Sequence, residues 1–164
     1  MSNTRSIIPK GGNDIVMTPP YLADKLVRYF IPPNVSVLEP CAGNNAFVDA
    51  LSNCNGLLID WCEISKGRDF FDYKEKHDWI ITNPPFSQFR AFLKHSMELA
   101  DNIVFLSLIN AFFMKARLRD MKESNFNFHT IMCLATPPAP WPQFGIQLGA
   151  IYIKKDYNGD VKFI

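Results

Sequence analysis

Leu22, Leu26, Tyr29 and Phe30 recur at helical spacing between Thr18-Pro19-Pro20 and Pro32-Pro33. This is the signature of a helix over about 20–30, with Thr18 as its cap and proline in its first turn. Short runs rich in β-branched and aromatic residues then predict strands at Val35 to Glu39, Leu57 to Glu63, Trp79 to Thr82, Ile103 to Leu108, Phe128 to Leu134 and Gly149 to Lys154. Between them, Phe89, Phe92, Leu93, Met97 and Ala100 share one face of a helix over Ser87 to Ala100, and further helices are expected at Ala111 to Lys122 and Ala46 to Ser52. Strands alternating with helices imply an α/β fold, a mostly parallel sheet covered by helices on both faces. The last two strands are joined only by TPPAPWPQFGIQ, which has no helical period, so they are expected to form an antiparallel hairpin at the C-terminal end. Residues 1–17 are polar and read as a flexible segment, leaving 18–164 as a single domain.

Charge narrows the possible partners. Seventeen Lys and Arg stand against 16 Asp and Glu in 164 residues, which excludes a broadly basic nucleic-acid coat but leaves room for a local patch. Cys41, Cys54, Cys62 and Cys133 form no CxxC pair, and His77, His95 and His129 do not stand near them at zinc-ligand spacing, so no metal site is expected. No export signal is legible, which predicts free thiols in a cytoplasmic protein. The apolar stretch from Ile103 to Met114 is broken by Ser107 and Asn110 and is too short to span a bilayer.

The candidate chemistry follows the strands, because open α/β sheets bind ligands beyond their carboxyl ends. After the first strand comes LEPCAGNNAF, whose small Ala42 and Gly43 let backbone approach a ligand and turn into a helix. Glu63, 20 residues past Gly43, ends the second strand, where such folds hold ribose hydroxyls. Asp69 and Phe70 offer a carboxylate and an aromatic face to an adenine amine and ring. Together these describe an adenosine-like ligand carrying a carboxylate and no phosphate. The third of the sheet's early strands runs straight into Thr82-Asn83-Pro84-Pro85-Phe86. NPP followed by Phe or Tyr arises by chance in only about one chain in a thousand of this length, so the motif is informative. Its prolines stiffen the turn, the Asn83 and Pro84 oxygens can accept from one planar amine, and Phe86 supplies a wall.

In these motifs the sequence resembles the S-adenosylmethionine-dependent amino-methyltransferases of the DNA adenine-N6 and cytosine-N4 type, which include small phage-encoded members. The resemblance spans about Asp14 to Phe86. It implies a Rossmann-like methyltransferase fold, with S-adenosylmethionine as cofactor and DNA as partner, in the cytoplasm of a bacterial host if phage-encoded. TPPYLADKLV, with Thr18, Pro19 and Tyr21, is similar to the family's methionine-contacting helix. EPCAGNNAF, with Glu39, Pro40, Ala42, Gly43 and Phe47, looks like its cofactor loop. Glu63 and Ile64 then match the ribose segment, Asp69 and Phe70 the adenine contacts, and Asn83, Pro84, Pro85 and Phe86 the catalytic turn. The resemblance implies direct methyl transfer to a flipped-out or single-stranded adenine. Trp141, Phe144, Lys115, Arg117 and Arg119 are the candidates for strand contact.

Two departures stand out. Asn45 replaces the loop's usual second glycine, which is expected to narrow the loop. No separate target-recognition domain is expected, leaving sequence choice to short loops or a partner specificity subunit. The alternative readings are an RNA or protein-glutamine N-methyltransferase and a non-catalytic cofactor-binding subunit.

Overall fold

Pro20 at the first helical position and Pro32-Pro33 beyond the last bracket helix α1 (Pro20–Phe30) in the computed structural model, which describes residues 16–143 and 145–164. Most of the N-terminal segment and Phe144 thus lie outside the described residues. The cap of α1 is Pro19 rather than Thr18, and Thr18 is buried for another purpose described below. Leu22, Ala23, Leu26, Val27 and Phe30 form the buried stripe of α1. Tyr29 is exposed, its ring edge-on to Phe30 instead of in the core.

Beyond α1 the chain forms β1 (Ser36–Glu39), α2 (Ala46–Ser52), β2 (Leu58–Trp61), β3 (His77–Thr82), α3 (Phe89–Leu99), β4 (Ala100–Leu108), α4 (Lys115–Glu123), β5 (Phe126–Leu134), β6 (Leu148–Lys155) and β7 (Lys162–Phe163). They build one sheet in the order β2-β1-β3-β4-β6-β5-β7. β2, β1, β3 and β4 run parallel, whereas β6 is antiparallel to both its neighbours. The expected mostly parallel sheet with a C-terminal antiparallel hairpin is therefore present. The strand pleat sends alternate residues to opposite faces. Val37, Ile81, Val104 and Leu106 meet α1 and α2 on one side, and Leu38, Ile80, Ile103 and Phe105 meet α3 and Met121 of α4 on the other.

Several boundaries differ from the sequence reading, and one strand escaped it. β2 ends at Trp61: the Cys62 amide still bonds the Glu39 carbonyl at 2.8 Å, but Glu63 pairs with Arg68 in an isolated bridge and caps the 3-10 turn Ile64–Lys66. α4 starts only at Lys115, after a 3-10 turn over Ile109–Ala111 and a fully buried Phe112. The two-residue β7, too short to show a period, pairs with the outer edge of β5. No described helix is long and apolar enough to cross a membrane.

The hairpin partner β6 sits between two strands and makes Gly149 indispensable. A Cβ there would stand 2.7 Å from Ile109 Cγ1 and 2.9 Å from the Met132 carbonyl oxygen. Overpacking against backbone forces the strands apart, so Gly149→Ala should destabilise the protein by roughly 1–3 kcal/mol. Urea denaturation of the variant checks this, and an unchanged midpoint would contradict it.

Candidate functional site

β1 has β2 on one side and β3 on the other, so the chain reverses its direction of winding there, and the crevice at such a point is where α/β sheets bind ligands. The loops leaving β1, β2 and β3, with Val16 to Thr18 before α1, enclose a cavity of about 460 Å3. Of the expected residues, Thr18, Ala42, Gly43, Phe47, Glu63, Ile64, Asn83 and Pro85 line it. A smaller hollow of about 150 Å3 is lined by Pro40, Asp69 and Phe70, and it shares Cys41, Ile64, Pro85 and Gln88 with the larger one. Pro19, Tyr21, Glu39, Pro84 and Phe86 line neither. Tyr21 is 61% exposed, Glu39 and Pro84 are buried, and Phe86 is half-buried at the start of the 3-10 turn Phe86–Gln88.

Glu63 organises the cavity floor. Its Oε2 accepts from the Gly43 amide at 2.8 Å, and its Oε1 from the Ser65 amide at 3.0 Å and the Ser65 hydroxyl at 2.6 Å. Burial by itself would raise the pKa of this carboxyl. The Ser65 and Gly43 hydrogen bonds and the nearby Lys66 charge outweigh that and hold it below the ordinary glutamate range, so it is ionised at neutral pH. Gly43 has φ +51°, and a Cβ on it would crowd Met17 Sδ at 3.1 Å, so the close approach of the 16–18 strap needs glycine there. Asn45 also adopts the left-handed conformation, with φ 68°, which asparagine tolerates better than most residues. Its side-chain oxygen accepts from Lys66 Nζ at 3.2 Å, and Asn45 is not among the cavity-lining residues.

Glu39 lies beneath this loop, 1% exposed, its Oε1 accepting from the Cys41 amide at 2.8 Å. Burial outweighs that hydrogen bond and pushes its pKa up to about 8. A carboxyl with a folded-state pKa above its ordinary value of 4.5 takes up a proton on folding, so its contribution to stability declines as pH rises from about 4.5 to about 8. Glu39→Gln keeps the acceptor oxygen and removes the titration. The melting temperature of the variant relative to native should climb across that window, and a difference that is flat with pH would refute the assignment.

Asn83 is fixed by a long-range clamp. Its Nδ2 donates to the Val16 carbonyl at 2.9 Å and to the Thr18 hydroxyl at 3.3 Å. The Val16 carbonyl can only accept, which settles which end of the amide faces the strap and leaves Oδ1 as the outward acceptor. Pro84 and Pro85 supply no amide hydrogen, so the turn presents oxygens rather than donors. Asn44 joins the clamp from the first loop, its Nδ2 donating to the Thr18 carbonyl at 3.5 Å. In the smaller hollow, Asp69 Oδ1 accepts from the Phe71 amide at 2.9 Å, and the Phe70 ring is held by Phe92 and His95 at centroid distances of 5.0 and 4.7 Å.

Of the outer candidates, Trp141 and Arg117 are drawn inward, whereas Lys115 and Arg119 face outward. Trp141 is 6% exposed and packs with the core of β5 and β6, so its indole is no open stacking surface. Arg117 turns inward, its guanidinium 4.6 Å above the Phe89 ring and donating to the Ala111 carbonyl. Arg119 stands 4.0 Å from Glu123, and Lys115 has no ion pair among the described residues. Val16, Met17, Cys41, Asn44, Ala46, Ser65 and Gln88 line the cavity without having been singled out, although each lies within two positions of a residue that was. Asp60, Glu75 and His77 come within 4.8 Å of one another, but Asp60 already holds Arg68 Nη2 at 2.6 Å and the Tyr73 hydroxyl at 2.7 Å. His77 Nε2 lies 2.6 Å from the Tyr73 hydroxyl, while its buried Nδ1 has no hydrogen-bond partner among the described residues.

No protein-family model and no curated protein sequence matches the chain. Solved structures do share its fold. The type I restriction-modification methyltransferase subunit from Streptococcus thermophilus superposes with a TM-score of 0.68 at 14% identity, covering 90% of this chain and 46% of that one. The M protein of the type I restriction enzyme EcoKI gives a TM-score of 0.60 at 16% identity, with 85% and 44% covered. A Listeria monocytogenes protein described as a class I S-adenosylmethionine-dependent methyltransferase gives 0.58 at 14%, with 88% and 61% covered. The fold is thus the Rossmann-like fold of class I methyltransferases, and the chain spans 44% to 61% of the length of these structures.

Proposed function

We propose that this chain is an S-adenosylmethionine-dependent methyltransferase acting on the N6 amine of adenine in DNA. The observation that carries the reading is the clamped Asn83 carboxamide, its NH2 held by Val16 and Thr18 and its oxygen left as an acceptor at the cavity. The DNA part draws on the likeness of the NPPF turn to the amino-methyltransferases and on the restriction-modification proteins that share the fold.

The residues present fit the cofactor. The main cavity, at about 460 Å3, falls in the range of about 300–1,000 Å3 usual for such ligands. The ionised Glu63 carboxylate suits ribose hydroxyls, and the neighbouring hollow with Asp69 and Phe70 suits a purine with an exocyclic amine. When bound, S-adenosylmethionine supplies a methyl group on cationic sulfur, which an amine lone pair takes while the C–S electron pair stays on sulfur.

What the chain adds is alignment and polarity. The adenine amine is a weak nucleophile because its lone pair is delocalised into the ring. Asn83 Oδ1 and the Pro84 carbonyl accept its two hydrogens and favour the pyramidal nitrogen that the transition state requires. Neither oxygen is basic enough to keep a proton, so the one released goes to water. The rigid turn removes the entropic cost of positioning these acceptors.

The test is transfer of radiolabelled methyl from S-adenosylmethionine to unmethylated DNA, RNA and cell protein, followed by digestion of the labelled pool. Label recovered as N6-methyladenine from DNA supports the reading. Label confined to RNA or to protein glutamine replaces the substrate, and cofactor binding with no label in any pool overturns the enzyme.

A further inference from the structure

Phe113 and Met114 are 47% and 56% exposed at the corner where the chain leaves β4 and enters α4. Packing does not explain them, and Met114 occupies the helix N-cap, where a polar residue is usual, without any side-chain capping bond. One face of the Phe113 ring is stacked on Phe128, with centroids 5.1 Å apart and planes 17° from parallel, so the ring is held rigid while its other face is open.

This corner lies at the same end of the sheet as Asn83. β4 is the parallel neighbour of β3, with Thr82 opposite Phe105, and both chains exit side by side. The buried Phe112 meets Phe89 at a centroid distance of 5.0 Å, and Phe89 directly follows the turn Phe86–Gln88 that ends the catalytic motif. From Ile109 to Arg119 the sequence carries three cations and no carboxylate. The next residue, Asp120, is buried and taken by Arg90 through bonds of 2.6 and 2.9 Å. Arg117 is drawn inward, which leaves Lys115 and Arg119 as the outward charges.

We propose that Phe113, Met114 and Lys115 form the platform for the DNA strand that delivers its base to Asn83, a neighbouring base stacking on the open face of Phe113 and a backbone phosphate meeting Lys115. The proposal rests on the DNA methyltransferase reading of the site. A rigid aromatic face beside an unpaired cation matches the alternation of π-face and phosphate along a single strand. A half-exposed methionine beside it suits the gap an extruded base leaves in a duplex.

The experiment measures binding of the full chain to a fluorescein-labelled single-stranded DNA of mixed sequence by anisotropy, with S-adenosylhomocysteine affinity measured by calorimetry alongside. Loss of one base stack should weaken DNA binding about tenfold in Phe113→Ala, while Phe113→Trp binds as native and both variants bind S-adenosylhomocysteine normally. Lys115→Ala should reduce the slope of log affinity against log salt by about 0.7. Unchanged DNA affinity in Phe113→Ala, or an equal loss in Phe113→Trp, overturns the platform. So does a native protein that prefers RNA of the same sequence. If the native protein methylates DNA yet Phe113→Ala binds it normally, only the platform fails. If it methylates no DNA, the reading of the site fails first.

Discussion

Asn83→Ala should lower the rate of methyl transfer by about two to three orders of magnitude, the usual loss when one preorganised polar group is removed from a transition state. Cofactor affinity should fall much less, because Glu63 and the smaller hollow are untouched. Asn83→Asp separates the two tasks of the side chain. It retains an acceptor for the substrate amine but places a carboxylate oxygen against the Val16 carbonyl, where Nδ2 now donates at 2.9 Å. Acceptor would face acceptor, so the strap should be pushed off and cofactor affinity should drop further than in the alanine variant. Single-turnover rates and S-adenosylhomocysteine calorimetry resolve both effects. An alanine variant within tenfold of native turnover would sink the catalytic assignment.

Glu63 carries the second large expectation. Glu63→Ala removes the acceptor for three donors at once, the Gly43 amide and the Ser65 amide and hydroxyl, so both loops of the cavity floor lose their common anchor. Glu63→Gln is no rescue, because its NH2 must face one of those N–H or O–H groups. Both variants should bind S-adenosylhomocysteine about 10- to 100-fold more weakly, the equivalent of one charge-assisted hydrogen bond or two. Because the native carboxyl is held below its ordinary range, native affinity should persist through mild acid and fail only as pH falls through that lowered pKa. Near-native affinity in Glu63→Gln would show that the ligand does not use this carboxylate.

Much of this was legible from local rules. The apolar spacing of α1, the apolar runs of β1 and β4 and the proline-stiffened turn are properties of near neighbours in sequence, and they survive in the structure. What escaped was non-local. Thr18 looked like a helix cap, yet its hydroxyl serves Asn83, 65 positions away. Arg117 stood as a candidate for strand contact, but the adjacent Phe89 ring offers it a cation–π partner that no periodicity reveals. Trp141, amid four prolines, stood as a candidate for strand contact, and the fold turns it into the core. Asn45 looked like damage to a glycine loop, until its backbone angle showed it doing a glycine's work.

The placement of β6 between β4 and β5 bears on how the chain is made. Synthesis delivers β4 and β5 well before Leu148–Lys155 emerges, and neither can seal its facing edge alone. A ribosome-bound chain therefore holds the nearly complete cofactor crevice beside the unpaired edge of β4, open to mispairing. β5 joins the sheet only through β6 and the later β7, so the β5–β6 hairpin docks on β4 as a pair, and its long-range pairing with β4 predicts slow closure. Chaperone capture during translation should consequently peak just before β6 leaves the exit tunnel, rather than while the ligand-binding half is being assembled.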